Sequence, residues 1–147
     1  MPFAQLGNER HVISAEKKTA RILIADDSAL VRQQLRSLLE MNPEWEVCGE
    51  AVDGREAVEK ARQLQPDLVV LDFSMPVMNG LQAAKEISQQ FPHIPLLLFS
   101  MFLSRQLVEE ARKLGFRGAV AKSDVSRDLL NGVEALLGNQ EFFPSNF

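Results

Sequence analysis

"DLVVLDFSMPVMNG", residues 67–80, opens on an unbroken apolar run, Leu68 to Leu71, and ends that run on a single carboxylate, Asp72. A short apolar run without polar alternation, stopped by turn residues, is the pattern of a strand covered on both faces. Strands of that kind belong to parallel sheets flanked by helices. Beyond Asp72, Pro76 and Asn79–Gly80 supply turn chemistry, and an amphipathic stretch follows. A carboxylate at the end of a buried strand needs either a structural partner or a reaction to perform.

On both sides of this strand the pattern alternates. Upstream, "RILIA" (21–25) is a short strand closed by Asp26, Asp27 and Ser28, residues suited to a turn and a helix cap. Val31, Leu35, Leu38 and Leu39 then share one helical face, "EWEVCGEAV" (44–52) alternates as a strand, and Ala57, Val58, Ala61 and Leu64 form a second helical stripe. Downstream, Leu81, Ala84, Ile87 and Phe91 mark a third helix, and "PLLLFS" (95–100) a fourth strand. Leu107, Val108, Ala111 and Leu114 mark the next helix, "GAVAK" (118–122) a fifth strand, and Leu129, Leu130, Val133, Leu136 and Leu137 the last helix. Five strands alternating with five helices imply an α/β fold: a parallel sheet with right-handed crossovers and helices on both faces. Residues 1–20 carry no sustained periodicity and read as a flexible leader. The domain is expected over residues 21–138, with 139–147 as a C-terminal tail.

The chain of 147 residues has a formal net charge of −4, which argues against a domain that grips nucleic acid. Its one cysteine, Cys48, rules out an internal disulfide and favours a reducing, cytoplasmic setting. The two histidines have no neighbours at zinc-ligand spacing, and no apolar stretch approaches the ~20 residues of a membrane span.

In parallel sheets of this type, ligands bind outside the carboxyl ends of the strands. Asp26 and Asp27 follow the first strand, Asp72 ends the third, Ser100 the fourth and Lys122 the fifth. Two carboxylates ~4 Å apart repel by about 4 kcal/mol at an effective dielectric of 20. A hard cation with oxygen ligands removes that conflict, and Mg2+ suits one or two carboxylates plus phosphate oxygens. Lys122 adds a second positive charge. The set therefore suits an ionised Asp72 that acts as a nucleophile towards phosphorus.

"ADDS", "DLVVLDFSMPVMNG", "LLLFS" and "GAVAK", taken together and in this order, resemble the receiver domain of bacterial two-component response regulators over about residues 21–138. The resemblance implies a flavodoxin-like, doubly wound sheet in the order 2-1-3-4-5, an order not read from the spacing itself. It implies that Asp72 accepts a phosphoryl group from the phosphohistidine of a sensor histidine kinase or phosphotransfer protein. Mg2+ would be held by Asp27, Asp72 and the backbone carbonyl of Ser74, with Asp26 acting largely through water. Lys122 would pair with the phosphoryl group and Ser100 would hydrogen-bond to it. Such a module is a phosphoacceptor that assists its own phosphorylation and dephosphorylation rather than an enzyme acting on turnover. Its output would run through the face of the fourth helix, fifth strand and fifth helix, to an output protein or domain or to a phosphorylation-dependent homodimer. With the last residue at Phe147, the chain is expected to be a single-domain receiver or a piece of a longer regulator, without contacts to nucleic acid or membrane of its own.

Three positions depart from the family pattern. Ala119 stands where an aromatic usually sits three residues before the lysine, and Phe116 and Phe102, the candidates to replace it, are expected to be packing residues. Ser123 stands where a proline often follows the lysine. Met101 follows the switch hydroxyl where small residues are usual, and its side chain is expected to narrow access to Asp72. Two alternatives stay open: a phosphate-independent docking module, which Ala119 favours, and an aspartyl-phosphate phosphatase, which Ser74 disfavours because those enzymes need a second acid at that position.

Overall fold

The structure, a computed structural model, describes residues 19–145; most of the expected leader, residues 1–18, and the last two residues lie outside that range. The run before Asp72 is a strand with every residue buried, β3 (Leu68–Asp72). Around it the elements follow in chain order as β1 (Ala20–Ala25), α1 (Ala29–Leu39), β2 (Trp45–Ala51), α2 (Gly54–Leu64), β3, α3 (Gly80–Gln90), β4 (Leu96–Ser100), α4 (Arg105–Lys113), β5 (Phe116–Ala121) and α5 (Val125–Leu137). The five strands form one sheet in the order β2-β1-β3-β4-β5, and every pairing is parallel. The parallel sheet is the one expected from the alternation, and its strand order is the one the family resemblance implies.

Side chains alternate across the sheet, so β3 feeds two cores. Val69 and Leu71 join Leu23, Ala25, Leu96 and Leu98 beneath α2, α3 and α4. Leu68 and Val70 join Ile22, Ile24 and Leu97 beneath α1 and α5. Each Leu, Ile or Val removed from water contributes about 1.5–3 kcal/mol, which is why an all-apolar run settles in the sheet's centre. The first four helices begin at short polar caps: Ser28, Asp53, Asn79 and Ser104 each accept a hydrogen bond from a first-turn backbone N–H.

The limits of β1 and β5 differ from the sequence reading. β1 starts at Ala20, whose N–H donates to the Glu44 carbonyl at 2.9 Å. β5 starts at Phe116, which is paired with Leu96, and stops at Ala121; Lys122 opens a 3-10 turn, Lys122–Asp124. Among the described residues no helix is long and apolar enough to cross a membrane.

Candidate functional site

The chain runs from β1 outward to β2 and then returns across β1 to β3, so the sheet changes winding direction between β1 and β3. Their carboxyl ends carry Asp26, Asp27 and Asp72, and one carboxylate oxygen from each lies within 4.8 Å of the others. Asp26 is wholly buried, Asp72 is 3 % exposed, and Asp27 stands at the solvent edge. Asp27, Asp72, Ser74, Ser100, Met101 and Lys122 share the walls of one cleft of about 470 Å3. Residues from Asp26 to Lys122, distant in sequence, thus meet in one place.

Lys122 is the counter-charge. Its Nζ lies 3.0 Å from Asp26 Oδ2 and 3.2 Å from Asp72 Oδ1, and 5.3 Å from the centre of the Phe99 ring. The 3-10 turn that ends β5 is what aims this side chain into the cleft. Burial alone would lower the lysine's affinity for its proton, but the bonds and charges of Asp26 and Asp72 outweigh it and hold the ammonium above its usual range. Asp72 is pushed the other way for a carboxylate: burial first, and the Asp26 charge second, raise it to about 6 against the pull of Lys122.

Asp26 is positioned from several sides. Its Oδ1 accepts the Ser28 N–H at 2.9 Å, and its carbonyl accepts from Arg32 Nη1 at 2.7 Å. Arg32 in turn reaches Glu50 at 2.8 Å, whose carboxyl is held low by hydrogen bonding from Arg36 above all. Arg32, Glu50 and Phe99 did not stand out in the sequence, because an arginine on a helix or a phenylalanine in a strand has no distinctive spacing. Asp26 Oδ2 is buried with no hydrogen-bond donor of good geometry among the described residues and only the Lys122 ion pair beside it. A buried oxygen so placed, in an all-oxygen cluster with excess negative charge, fits a hard divalent cation.

The loop from Phe73 to Asn79 is held tightly beside Asp72. Ser74 contributes its N–H, 3.4 Å from Asp72 Oδ1, while its side chain is exposed. Met78 N–H donates to the Pro76 carbonyl at 2.7 Å across Val77, whose φ of 69° places a β-branched residue in a tight, strained γ-turn. At Gly80 a Cβ would lie 2.2 Å from the Asp72 carbonyl oxygen, so only glycine lets α3 begin this close to β3.

Ser100, 4 % exposed, is buried in the wall of the cleft, and its hydroxyl donates to the Phe102 carbonyl at 2.8 Å rather than to Asp72. The expectation that Phe102 packs is overturned: its ring is 81 % exposed, because the β4–α4 turn carries it away from both cores. Phe116, in contrast, is fully in the core, and Ala119 is buried beside it.

The comparisons agree with this geometry. A family model described as "Response regulator receiver domain" matches residues 22–134. The chain is 41 % identical over 102 residues to the chemotaxis protein CheY of Thermotoga maritima, covering 69 % of this chain and 84 % of that protein. It is 43 % identical over 111 residues to a protein-glutamate methylesterase/protein-glutamine glutaminase of Methanosarcina acetivorans, covering 74 % of this chain but only 32 % of that longer protein. Among solved structures, a two-component response regulator of the LuxR family from Aurantimonas superposes with a TM-score of 0.82 at 34 % identity, over 85 % of this chain and 89 % of that one. The parallel sheet, the acidic cleft at its switch point and the match over most of the chain lead to one conclusion: this chain belongs to the response regulator receiver family, the regulatory modules of two-component systems.

Proposed function

We propose that this receiver is a cytoplasmic, phosphorylation-dependent switch in which Asp72 accepts a phosphoryl group from a sensor histidine kinase or a phosphotransfer protein. The observation that carries the reading is the position of the Asp72 carboxylate: 3 % exposed at the floor of the cleft, with an ammonium 3.2 Å away and two further carboxylates beside it. With an acid raised to about 6, most of Asp72 is ionised at neutral pH and available as a nucleophile. An Asp72 oxygen forms the new bond to phosphorus as the bond from phosphorus to the donor's imidazole nitrogen breaks, and the leaving imidazole keeps that electron pair.

Lys122 is placed to follow the incoming charge, moving from the carboxylates to a phosphoryl oxygen. Asp27, Asp72 and the Ser74 carbonyl would hold Mg2+, with Asp26 acting largely through water. When bound, that ion offsets negative charge on the carboxylates and phosphoryl oxygens. The Ser100 hydroxyl would exchange the Phe102 carbonyl for a phosphoryl oxygen. The resulting change would be read on the α4–β5–α5 face by an output protein or domain, or by a second copy in a homodimer. We assign the domain to residues 21–138 and the tail to 139–147.

The test is intact-mass analysis after incubation with Mg2+ and a small acyl phosphate donor. The wild-type chain is expected to gain the mass of one phosphoryl group that base and hydroxylamine remove, and Asp72→Asn none. An equal adduct on Asp72→Asn, or none on the wild type, overturns the assignment. A second reading, a docking module without a phosphate switch, draws on the buried Ala119 in the place of a ring. It requires that beryllofluoride with Mg2+ leave the α4–β5–α5 face unaltered.

A further inference from the structure

We propose that residues 139–145 are an intramolecular ligand of the α4–β5–α5 face: a strap that closes this face and is released when Asp72 is phosphorylated. The release step rests on the phosphoacceptor reading above; the docking of the strap does not.

β5 is an edge strand, and its outward N–H and C=O groups would pair with any extended segment that reached them. Here the segment is the chain's own. Asn139, at a φ of 64°, reverses the chain after α5, and Gln140 N–H donates to the Ala135 carbonyl at 2.9 Å. Phe142 then pairs in parallel with Gly118. Ala119 N–H donates to the Phe142 carbonyl, and Phe142 N–H donates to the Arg117 carbonyl, both at 2.9 Å. This is strand addition performed within one molecule.

The seat for Phe142 is built from two elements. A Cβ on Gly118 would lie 2.8 Å from the Phe142 carbonyl oxygen, and a Cβ on Gly132 of α5 would lie 3.1 Å from its ring. The missing side chains of β5 and α5 together make the slot. α4 holds the other side of the strap, where Arg112 pairs with Glu141 at 2.7 Å and its guanidinium lies 4.1 Å over the Phe143 ring. Seven residues therefore engage all three elements of the face through which the receiver is read.

The strap roofs a cavity of about 500 Å3, walled by Met101, Phe102, Leu103, Ala119, Phe143 and Pro144 among others. Met101 and Phe102 also wall the cleft at Asp72, so one turn of chain separates the two spaces. The Ser100 hydroxyl fastens that turn through the Phe102 carbonyl. Once the hydroxyl exchanges that carbonyl for a phosphoryl oxygen, the turn loses this tether and shifts away from Phe143 and Pro144. The strap loses its neighbours there and leaves. The freed edge, with its glycine slot, fits an extended partner segment carrying an aromatic side chain.

Amide hydrogen exchange on the full chain tests both halves. In the wild type the Ala119 and Phe142 amides are expected to be protected. Phe142→Ala and, independently, Gly132→Leu should each speed exchange at Ala119 by at least about tenfold while β3 amides keep their protection, as for local opening. Unchanged exchange at Ala119 in both variants overturns the docked strap. With Mg2+ and beryllofluoride, Ala119 exchange should rise severalfold in the wild type and not in Asp72→Asn. If beryllofluoride perturbs the amides around Asp72 while Ala119 stays as protected as before, the release fails and the phosphoacceptor reading stands. If it perturbs nothing around Asp72, the phosphoacceptor reading fails and the release with it.

Discussion

At Asp72 the requirements of chemistry and of stability conflict. Burial and the neighbouring Asp26 raise its pKa to about 6, so the folded chain holds this proton more tightly than the unfolded chain does. The stabilising contribution is therefore fully present below about pH 4 and is lost as the pH rises through about 6. Above that, the ionised carboxylate costs roughly 1–3 kcal/mol. Asp72→Asn is expected to melt above the wild type at pH 7.5, by about 2–4 °C per kcal/mol, and the gap should close at pH 4. Parallel melting curves across that range would show that burial of this acid carries no such cost. Met101 is the other residue with a local consequence. It is 64 % exposed on the turn that walls the cleft, where a flexible thioether can screen Asp72. Met101→Ala should speed both phosphorylation by a small donor and loss of the phosphoryl group, by about two- to tenfold, or up to about 1.4 kcal/mol of barrier. Rates equal to those of the wild type would leave Met101 without a gating role.

Helices position the site through their first turns. The Asn79 side chain accepts from Gln82 N–H, and the Gln82 side chain accepts from Asn79 N–H, both at 2.9 Å. This reciprocal cap anchors α3 where Gly80 N–H meets the Phe73 carbonyl, directly beside Asp72. Asn79→Ala is expected to cost about 1 kcal/mol, seen as a melting temperature lower by about 2–4 °C. A stability equal to the wild type would show that the Gly80 contact alone holds the turn. The elements themselves were legible because apolar spacing and short polar caps are local signals. All five strands and all five helices lie where the periodicity placed them. The end of β5 was misread because Ala121 and Lys122 continue the strand's composition, and only the turn that follows reveals that Lys122 has left the ladder.

The same cluster of charge would couple the stability of the whole molecule to a bound divalent cation. A cation that binds only the folded chain stabilises it by mass action, about 2.7 kcal/mol at a hundredfold excess over its Kd. Thermal melts with increasing Mg2+ should therefore rise for the wild type and rise much less for Asp27→Asn, which removes the charge of one of the three clustered carboxylates without touching a core. An identical rise in both would place the ion elsewhere.

The order of apolar and polar residues was enough to determine the α/β alternation and the presence of carboxylates, a hydroxyl and an amine at strand ends. Hydrophobic burial acts on each segment in turn, and parallel strands must carry their carboxyl ends to one edge. Three features were decided only by the folded chain: the sharing of Lys122 between Asp26 and Asp72, the bond from Ser100 to Phe102, and the seating of Phe142 against Gly118 and Gly132. Each joins side chains or edges through space, at distances set by packing and turn geometry rather than by any local periodicity.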